Sequence, residues 1–199
     1  TLEELRRIVA VFRSLGVTTV RVTGGEPLLR RGVVDLIAAI RRDVGVDDIA
    51  LTTNATLLAE NASTLKAAGV RRVTISLDSL DRERFREITR GGALDRVLHG
   101  IETAVRVGFD EIKTNTVCIR GVNDDEFGAI CDYAWAHGIT PRFIELMPIG
   151  AGAELYATSF MSATDAIERL GRRVVREPGA RASGRGPAWY LGAADGTSR

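Results

Sequence analysis

Gly16-Val17-Thr18-Thr19-Val20 is the stretch on which the fold turns, because its pattern recurs down the chain. It returns as Gly45-Val46-Asp47-Asp48-Ile49, as Gly69-Val70-Arg71-Arg72-Val73 and as Gly108-Phe109-Asp110-Glu111-Ile112. A looser copy is Gly138-Ile139-Thr140-Pro141-Arg142-Phe143. Each reads as a glycine that stops a helix, an apolar residue folded back onto that helix, and then a strand. The copies lie roughly 30 residues apart, the length of one strand–helix unit. Upstream of the first copy, Thr1-Leu2-Glu3-Glu4 spells a capping box, and Leu5, Ile8, Val9, Phe12 and Leu15 follow at helical spacing.

Apolar stripes predict helices between the strands: Val33, Leu36, Ile37 and Ile40, then Leu94, Val97, Leu98, Ile101 and Val105. Asn123 is placed to cap a helix carrying Phe127, Ile130, Cys131 and Ala134, and Ser162 opens another with Ile167 and Leu170. Strict alternation of strand and helix predicts an α/β fold on a parallel sheet. Five such units without a dinucleotide-type glycine fingerprint favour a barrel or partial barrel over a doubly wound sheet. Two parts are expected: a barrel core over residues 1–171, and an irregular covering segment over 172–199 with one strand around Trp189-Tyr190-Leu191.

The 199 residues carry 27 Lys+Arg against 26 Asp+Glu, a net charge of +1, so no basic excess points to nucleic acid or a membrane surface. No apolar run approaches the roughly 18 residues of a membrane span. The two cysteines, Cys118 and Cys131, fit neither a disulfide framework nor a metal-binding spacing, which makes a reducing cytoplasm the expected location. One lies on a strand and the other on the apolar stripe of a helix, so both read as buried thiols. His99 and His137 read as surface residues on helices. Asp81-Arg82-Glu83-Arg84 and Arg71-Arg72 read as solvated faces.

Side chains alternate along a strand, so each strand sorts into two faces. One face is expected to pack under the helices: Val20 and Val22, Ile49 and Leu51, Val73, Ile75 and Leu77, Ile144 and Leu146. The other is polar, with Arg21, Thr23 and Gly25, then Thr52 and Asn54, then Thr74, Ser76 and Asp78, then Lys113 and Asn115. The last strand adds Phe143, Glu145 and Met147. Buried unpaired Arg and Lys would cost several kcal/mol, so such a lumen holds water, counter-charges or a polar ligand. A purely structural ion network, with Arg21 or Lys113 paired to Glu145 or Asp78, is the bland alternative. The polar groups gather toward the C-terminal strand ends, where barrel enzymes bind ligands. There the turn Thr23-Gly24-Gly25-Glu26-Pro27 lets backbone approach a ligand closely and sets a carboxylate beside it.

The Gly-Gly-Glu-Pro turn resembles the second motif of the radical S-adenosylmethionine (SAM) enzymes. Within that superfamily, Arg21 through Arg31, Leu51-Thr52-Thr53-Asn54, Val73 through Asp78, Gly121-Val122-Asn123-Asp124-Asp125 and Arg142 through Met147 are similar to the GTP 3′,8-cyclase family of molybdenum cofactor biosynthesis. The blocks stand in family order and reach from Thr1 to about Leu191. The resemblance implies an incomplete (βα)6 TIM-like barrel of the radical SAM type, its first strand missing from this chain. It implies a lyase that cleaves SAM reductively at a 4Fe-4S cluster. The resulting 5′-deoxyadenosyl radical takes a hydrogen from the GTP ribose, giving (8S)-3′,8-cyclo-7,8-dihydroguanosine 5′-triphosphate.

Carried over residue by residue, the resemblance implies that Gly25, Glu26, Ser76 and Met147 bind SAM, with Glu26 near its amino group and Met147 against its adenosine. Arg21, Thr52 and Lys113 would bind GTP, the two cations on its phosphates; Asn54, Asn115, Arg142 and Glu145 are secondary candidates. For Arg142, alternation puts the side chain on the helix-facing side unless the strand bulges at Pro141. The family holds two 4Fe-4S clusters, one through Cys-x3-Cys-x2-Cys upstream of the position of Thr1 and one through cysteines past the tail. Neither motif is among these 199 residues. No metal ligand and no catalytic residue is therefore assigned here, and the chain is expected to be a SAM- and GTP-binding barrel segment, inactive alone. GTP, a reductant or electron-donor protein and a second copy in a homodimer are the implied partners. Two other functions compete: a barrel lyase forming a Schiff base on Lys113, and a non-catalytic nucleotide-binding relic.

Overall fold

A computed structural model describes residues 1–150, 152–176 and 189–196. It opens on α1 (Leu2–Ser14), whose capping box is formed: the Thr1 hydroxyl accepts from the Glu4 amide, and the Glu4 side chain reaches back. The five repeats become β1 (Thr19–Val22), β2 (Asp48–Thr53), β3 (Val70–Ser76), β4 (Glu111–Cys118) and β5 (Thr140–Glu145). Between them run α2 (Val33–Ala39, continued by a π turn Ile40–Val44), α3 (Leu58–Ala68), α4 (Arg82–Ile88), α5 (Leu94–Val107) and α6 (Phe127–Ala136). After β5 come α7 (Gly152–Ser159), α8 (Ala163–Leu170), β6 (Val174–Arg176) and β7 (Leu191–Ala193). Gly69 and Gly108 end α3 and α5 at φ +112° and +77°, each returning its amide to the last helical turn.

In the five-stranded sheet all four pairings are parallel and the order is β1-β2-β3-β4-β5. A strictly sequential order means every right-handed crossover runs the same way, so the helices share one face of the sheet. A doubly wound sheet would reverse its order partway. This is the partial-barrel arrangement that the repeats predicted.

The main core lies between that sheet and the helices: Ile49, Leu51 and Ile75 from the strands meet Ile37, Leu58 and Ile101 from α2, α3 and α5. Each of the six is fully buried, which stabilises the fold by about 1.5–3 kcal/mol apiece. A smaller core joins β4, α6 and α8 through Cys118, Phe127, Cys131, Met161 and Leu170. Both thiols are therefore buried, and burial pushes each up to about 12.

Several expectations are corrected. Asn123 does not cap α6, whose N-cap residue is Glu126. Instead Asn123 is fully buried: its Oδ1 accepts from Ile119 N and its Nδ2 donates to Asp78 O and Val117 O, bolting the loop after β4 to the end of β3. Asp81, Arg82 and Glu83 are exposed as expected, Asp81 also capping α4 by accepting from Arg84 N, whereas Arg84 is half-buried and pairs with Asp125 and Glu126. His99 is exposed, but His137 is half-buried, with Nδ1 2.8 Å from Tyr133 O. The strand expected around Trp189 begins at Leu191 and pairs antiparallel with β6, so the tail is partly regular. Residues 177–188 and 197–199 of the expected covering segment lie outside the described residues.

Candidate active site

The lumen face of the sheet is laid out by strand register. Arg21 stands beside Ala50, Arg72 and Glu111; Thr52 beside Thr74, Lys113 and Thr140; Ser76 beside Asn115 and Arg142. Arg21 Nη1 donates to the hydroxyls of Thr52 at 3.1 Å and Thr74 at 3.2 Å, so the two side chains assigned to GTP on β1 and β2 do meet. Burial, then the charges of Arg72 and Arg142, pull the Arg21 pKa below its ordinary value. Arg142, the register partner of Asn115, lies on the same lumen face.

The β4–β5 ladder runs unbroken from Lys113↔Thr140 to Cys118↔Glu145, with no bulge at Pro141. Arg142 and Ile144 therefore share the face of Asn115 and Val117, while Phe143 and Glu145 share the face of Thr116 and Cys118. This reverses the face expected for β5. Phe143 packs on Phe127 of α6, and Glu145 Oε1 accepts from Ala163 N at the start of α8.

The ion pairs differ from those expected as well. Lys113 Nζ lies 3.0 Å from Glu111 Oε1, two residues back on its own strand, and neither Glu145 nor Asp78 is its partner. Arg72, expected on a solvated face, is a lumen residue gripping Asp48 through Nε at 2.9 Å and Nη2 at 2.8 Å. Only Arg71 of that pair is exposed, bonded to Asp110. Polarity thus runs the length of the lumen, with acid–base pairs toward the N-terminal strand ends. Among the described residues, Arg21 and Arg142 have no carboxylate within ion-pair distance. A guanidinium held only by hydroxyls suits an incoming anion.

Toward the C-terminal ends the lumen opens. Asn115 Oδ1 is buried without a hydrogen-bond partner among the described residues, an acceptor waiting for a donor. Asp78 Oδ1 accepts from Val117 N, and burial raises the Asp78 carboxyl above its ordinary pKa. Gly24 adopts φ +147°, and a Cβ on Gly25 would meet nothing within 4 Å, so the turn lies open at the mouth. Glu26 is engaged: Oε1 accepts from Leu28 N at 3.1 Å and Thr53 Oγ1 at 2.7 Å, and Oε2 from Asn54 N at 2.7 Å. Met147 is 59% exposed at the rim, not packed in a core. Sequence reasoning missed Arg72, Asp48 and Glu111 in the lumen, and Thr53 beneath the mouth.

The orphaned Asn115 oxygen, the open glycine turn and the carboxylates of Glu26 and Asp78 fit a zwitterionic nucleoside ligand such as SAM. The two cysteines do not fit an iron–sulfur cluster, since both thiols are enclosed in an apolar core. Among the described residues no group of three His, Cys, Asp or Glu side chains could hold a metal ion. No helix among them is long and apolar enough to cross a membrane.

Known proteins resemble this chain in sequence and in fold. It is 45% identical over 177 residues to the GTP 3′,8-cyclase of Alkaliphilus oremlandii, covering 89% of this chain and 55% of that protein. It is 42% identical over 200 residues to GTP 3′,8-cyclase 2 of Pseudomonas aeruginosa, covering 100% of this chain and 60% of that one. The chain thus spans little more than half the length of these curated relatives. Among solved structures, the coproporphyrinogen III oxidase HemN of Escherichia coli, described as a radical SAM enzyme, superposes with a TM-score of 0.61 at 14% identity. That match covers 84% of this chain and 42% of HemN. A domain of a pyruvate-formate lyase-activating enzyme from Bacteroides vulgatus superposes at 0.59 and 19% identity, over 77% of this chain and 93% of that one. The family profile described as the radical SAM superfamily matches residues 1–134, two-thirds of the sequence, and the chain belongs to that superfamily.

Proposed function

We propose that this chain is the SAM- and GTP-binding barrel of a GTP 3′,8-cyclase, a lyase of molybdenum cofactor biosynthesis working in the cytoplasm. The observation that carries the reading is that one lumen holds two kinds of unsatisfied group: the guanidiniums of Arg21 and Arg142, which pair with no carboxylate among the described residues, and acceptors at Asn115 and Asp78 beside the open glycine turn. An anionic nucleotide would answer the first and a cationic sulfonium amino acid the second. Arg21, Thr52, Lys113 and Arg142 would hold GTP, the cations offsetting its phosphate charge. Gly25, Glu26, Ser76 and Met147 would line SAM.

SAM, once bound, supplies the hydrogen-abstracting group for which the superfamily is named. The residues of this chain orient the two ligands within one lumen and screen them from bulk water. Cluster ligands and the reductant come from outside these residues, and no step through a cluster is assigned to them. The names of the curated relatives support the same reading. Of the competing readings, a Schiff-base lyase needs an amine free to attack a carbonyl, whereas Lys113 Nζ is engaged with Glu111 Oε1 at 3.0 Å. The relic reading is separated from the favoured one by assay.

The test is anaerobic reconstitution of the full-length protein with iron and sulfide. SAM cleavage dependent on reductant and GTP supports the proposal, and its absence in a protein that still binds both ligands supports the relic. Charge reversal at Arg21 should abolish GTP binding and spare SAM binding, while equal loss of both sinks the division of the lumen.

A further inference from the structure

Thr53 ends β2 at a position whose alternation partners, Ile49 and Leu51, are fully buried apolar residues. It is itself only 2% exposed and faces away from the lumen, so it touches no ligand there. A hydroxyl at such a position must find partners or cost free energy. Thr53 Oγ1 finds two. It donates to Glu26 Oε1 at 2.7 Å and accepts from Ala55 N at 3.0 Å.

Those bonds join two loops. Glu26 follows the glycine turn and caps the short 3-10 helix Pro27–Leu29, taking Leu28 N on the oxygen that also takes Thr53. Its other oxygen takes Asn54 N, beyond the end of β2. Ala55 then adopts φ +60°, a left-handed conformation that an alanine holds only under constraint. The constraint is the Thr53 hydroxyl on one side and the side-chain-free Gly100 of α5 on the other, where a Cβ would come within 2.7 Å of Ala55 O. The glycine turn and the end of β2 are thus one hydrogen-bonded unit with Glu26 at its centre.

We infer that Thr53 is a positioning residue that acts through Glu26 to set the glycine turn for SAM. The inference rests on the proposed SAM reading and deepens it, because Glu26 is aimed by its partners before any ligand arrives. Loss of the hydroxyl frees the Glu26 carboxylate to swing and releases Ala55 N, and the turn loses its fixed distance from β2.

The experiment uses the full-length protein, with SAM affinity measured by anaerobic calorimetry without GTP or reductant. Thr53→Val should weaken SAM about tenfold, in keeping with loss of one charge-assisted hydrogen bond. Thr53→Ser should return it to within about twofold of wild type, which a merely space-filling role would not require. In a Glu26→Gln background Thr53→Val should add little, the mark of a residue acting through another. If wild type binds no SAM, the proposed SAM site and this inference both fail. If wild type binds and Thr53→Val binds equally well, this inference alone fails. Should Thr53→Val not fold, hydrogen exchange of the wild-type protein decides: Leu28 and Asn54 amides should share one protection and rise together on adding SAM. Separate protection, or a rise at Leu28 alone, would overturn the brace.

Discussion

The Phe143 ring of β5 lies with its centroid 4.8 Å from that of Phe127 on α6, tilted by 52°. This contact settles which way β5 faces. With Phe143 committed to the small core, alternation leaves Arg142 in the lumen beside Asn115 and sends Glu145 out to the start of α8. Arg142→Glu should therefore weaken GTP binding by at least tenfold and leave SAM binding close to wild type. Glu145→Gln should leave GTP affinity unchanged and cost stability by no more than about 1 kcal/mol, the worth of an exposed bond to one helix-capping amide. Calorimetry on each variant reads both quantities.

Asp78 gives the lumen a pH dependence of known sign. Burial raises its folded-state pKa above 3.8, against which the bond from Val117 N works only in part. Between the unfolded and folded values the native state binds more protons, so stability contributed by this group falls as pH rises through that window. Asp78→Asn keeps an acceptor for Val117 N and removes the charge. Its unfolding midpoint should exceed that of wild type at pH 7, with the gain shrinking toward pH 4. A gain that grows on acidification would contradict a buried, reluctantly ionised carboxylate.

Asp110 has the opposite sign. Hydrogen bonds from Lys66 and Arg71 hold its carboxyl down to about 2. Its contribution is present above the unfolded value of 3.8 and is lost as pH falls from there through about 2. The group is exposed, so salt screens the effect. Asp110→Asn should flatten thermal stability between pH 4 and 2 at low ionic strength, and 1 M salt should narrow the difference between variant and wild type.

Much of this fold was legible because the repeated glycine stop and the two-residue alternation of β1 to β4 report backbone geometry directly. The helices that escaped notice lacked a readable stripe. In α3 the buried positions include Ala62 and Ala68, too small to stand out, and α4 has Phe85 alone. The face of β5 was misread because Phe143, Ile144 and Leu146 are all apolar, so hydropathy does not choose between alternations; only Phe127 across the core does. Arg72 looked solvated because it adjoins Arg71, although neighbours on a strand point opposite ways. Thr53 carried a signal that could have been used, being a hydroxyl in an otherwise apolar series.

Gly100 is a small residue with a large structural demand on it. It sits on α5 where α5 packs against α3, and an added Cβ would lie 2.7 Å from Ala55 O and 3.3 Å from Leu58 Cβ. Both neighbours are constrained, one by its positive φ and the other by full burial. Gly100→Ala should cost about 1–3 kcal/mol in denaturant unfolding despite alanine's better helix propensity. Gly100 lies inside α5 without a positive φ, so backbone strain adds nothing there, and a gain in stability in Gly100→Ala would show that the neighbours give way and propensity wins.

The last prediction concerns α1, which buries no residue fully. Leu2 and Val9 touch the main core, but Ile8, Phe12 and Leu15 are 51%, 53% and 75% exposed along one side of the helix. Among the described residues the adjoining β1 is an edge strand with one side unpaired. An apolar stripe next to an open strand edge is a template for association. The 199-residue chain prepared alone should therefore self-associate with rising concentration in sedimentation velocity. Replacing Ile8 and Phe12 together with lysine should reduce that association while moving the unfolding free energy by no more than about 1 kcal/mol, because half-exposed side chains have little burial to lose. A monomeric wild-type chain would show that the stripe is too small to drive association. A double variant that unfolds would show that α1 is held through these residues rather than through Leu2 and Val9.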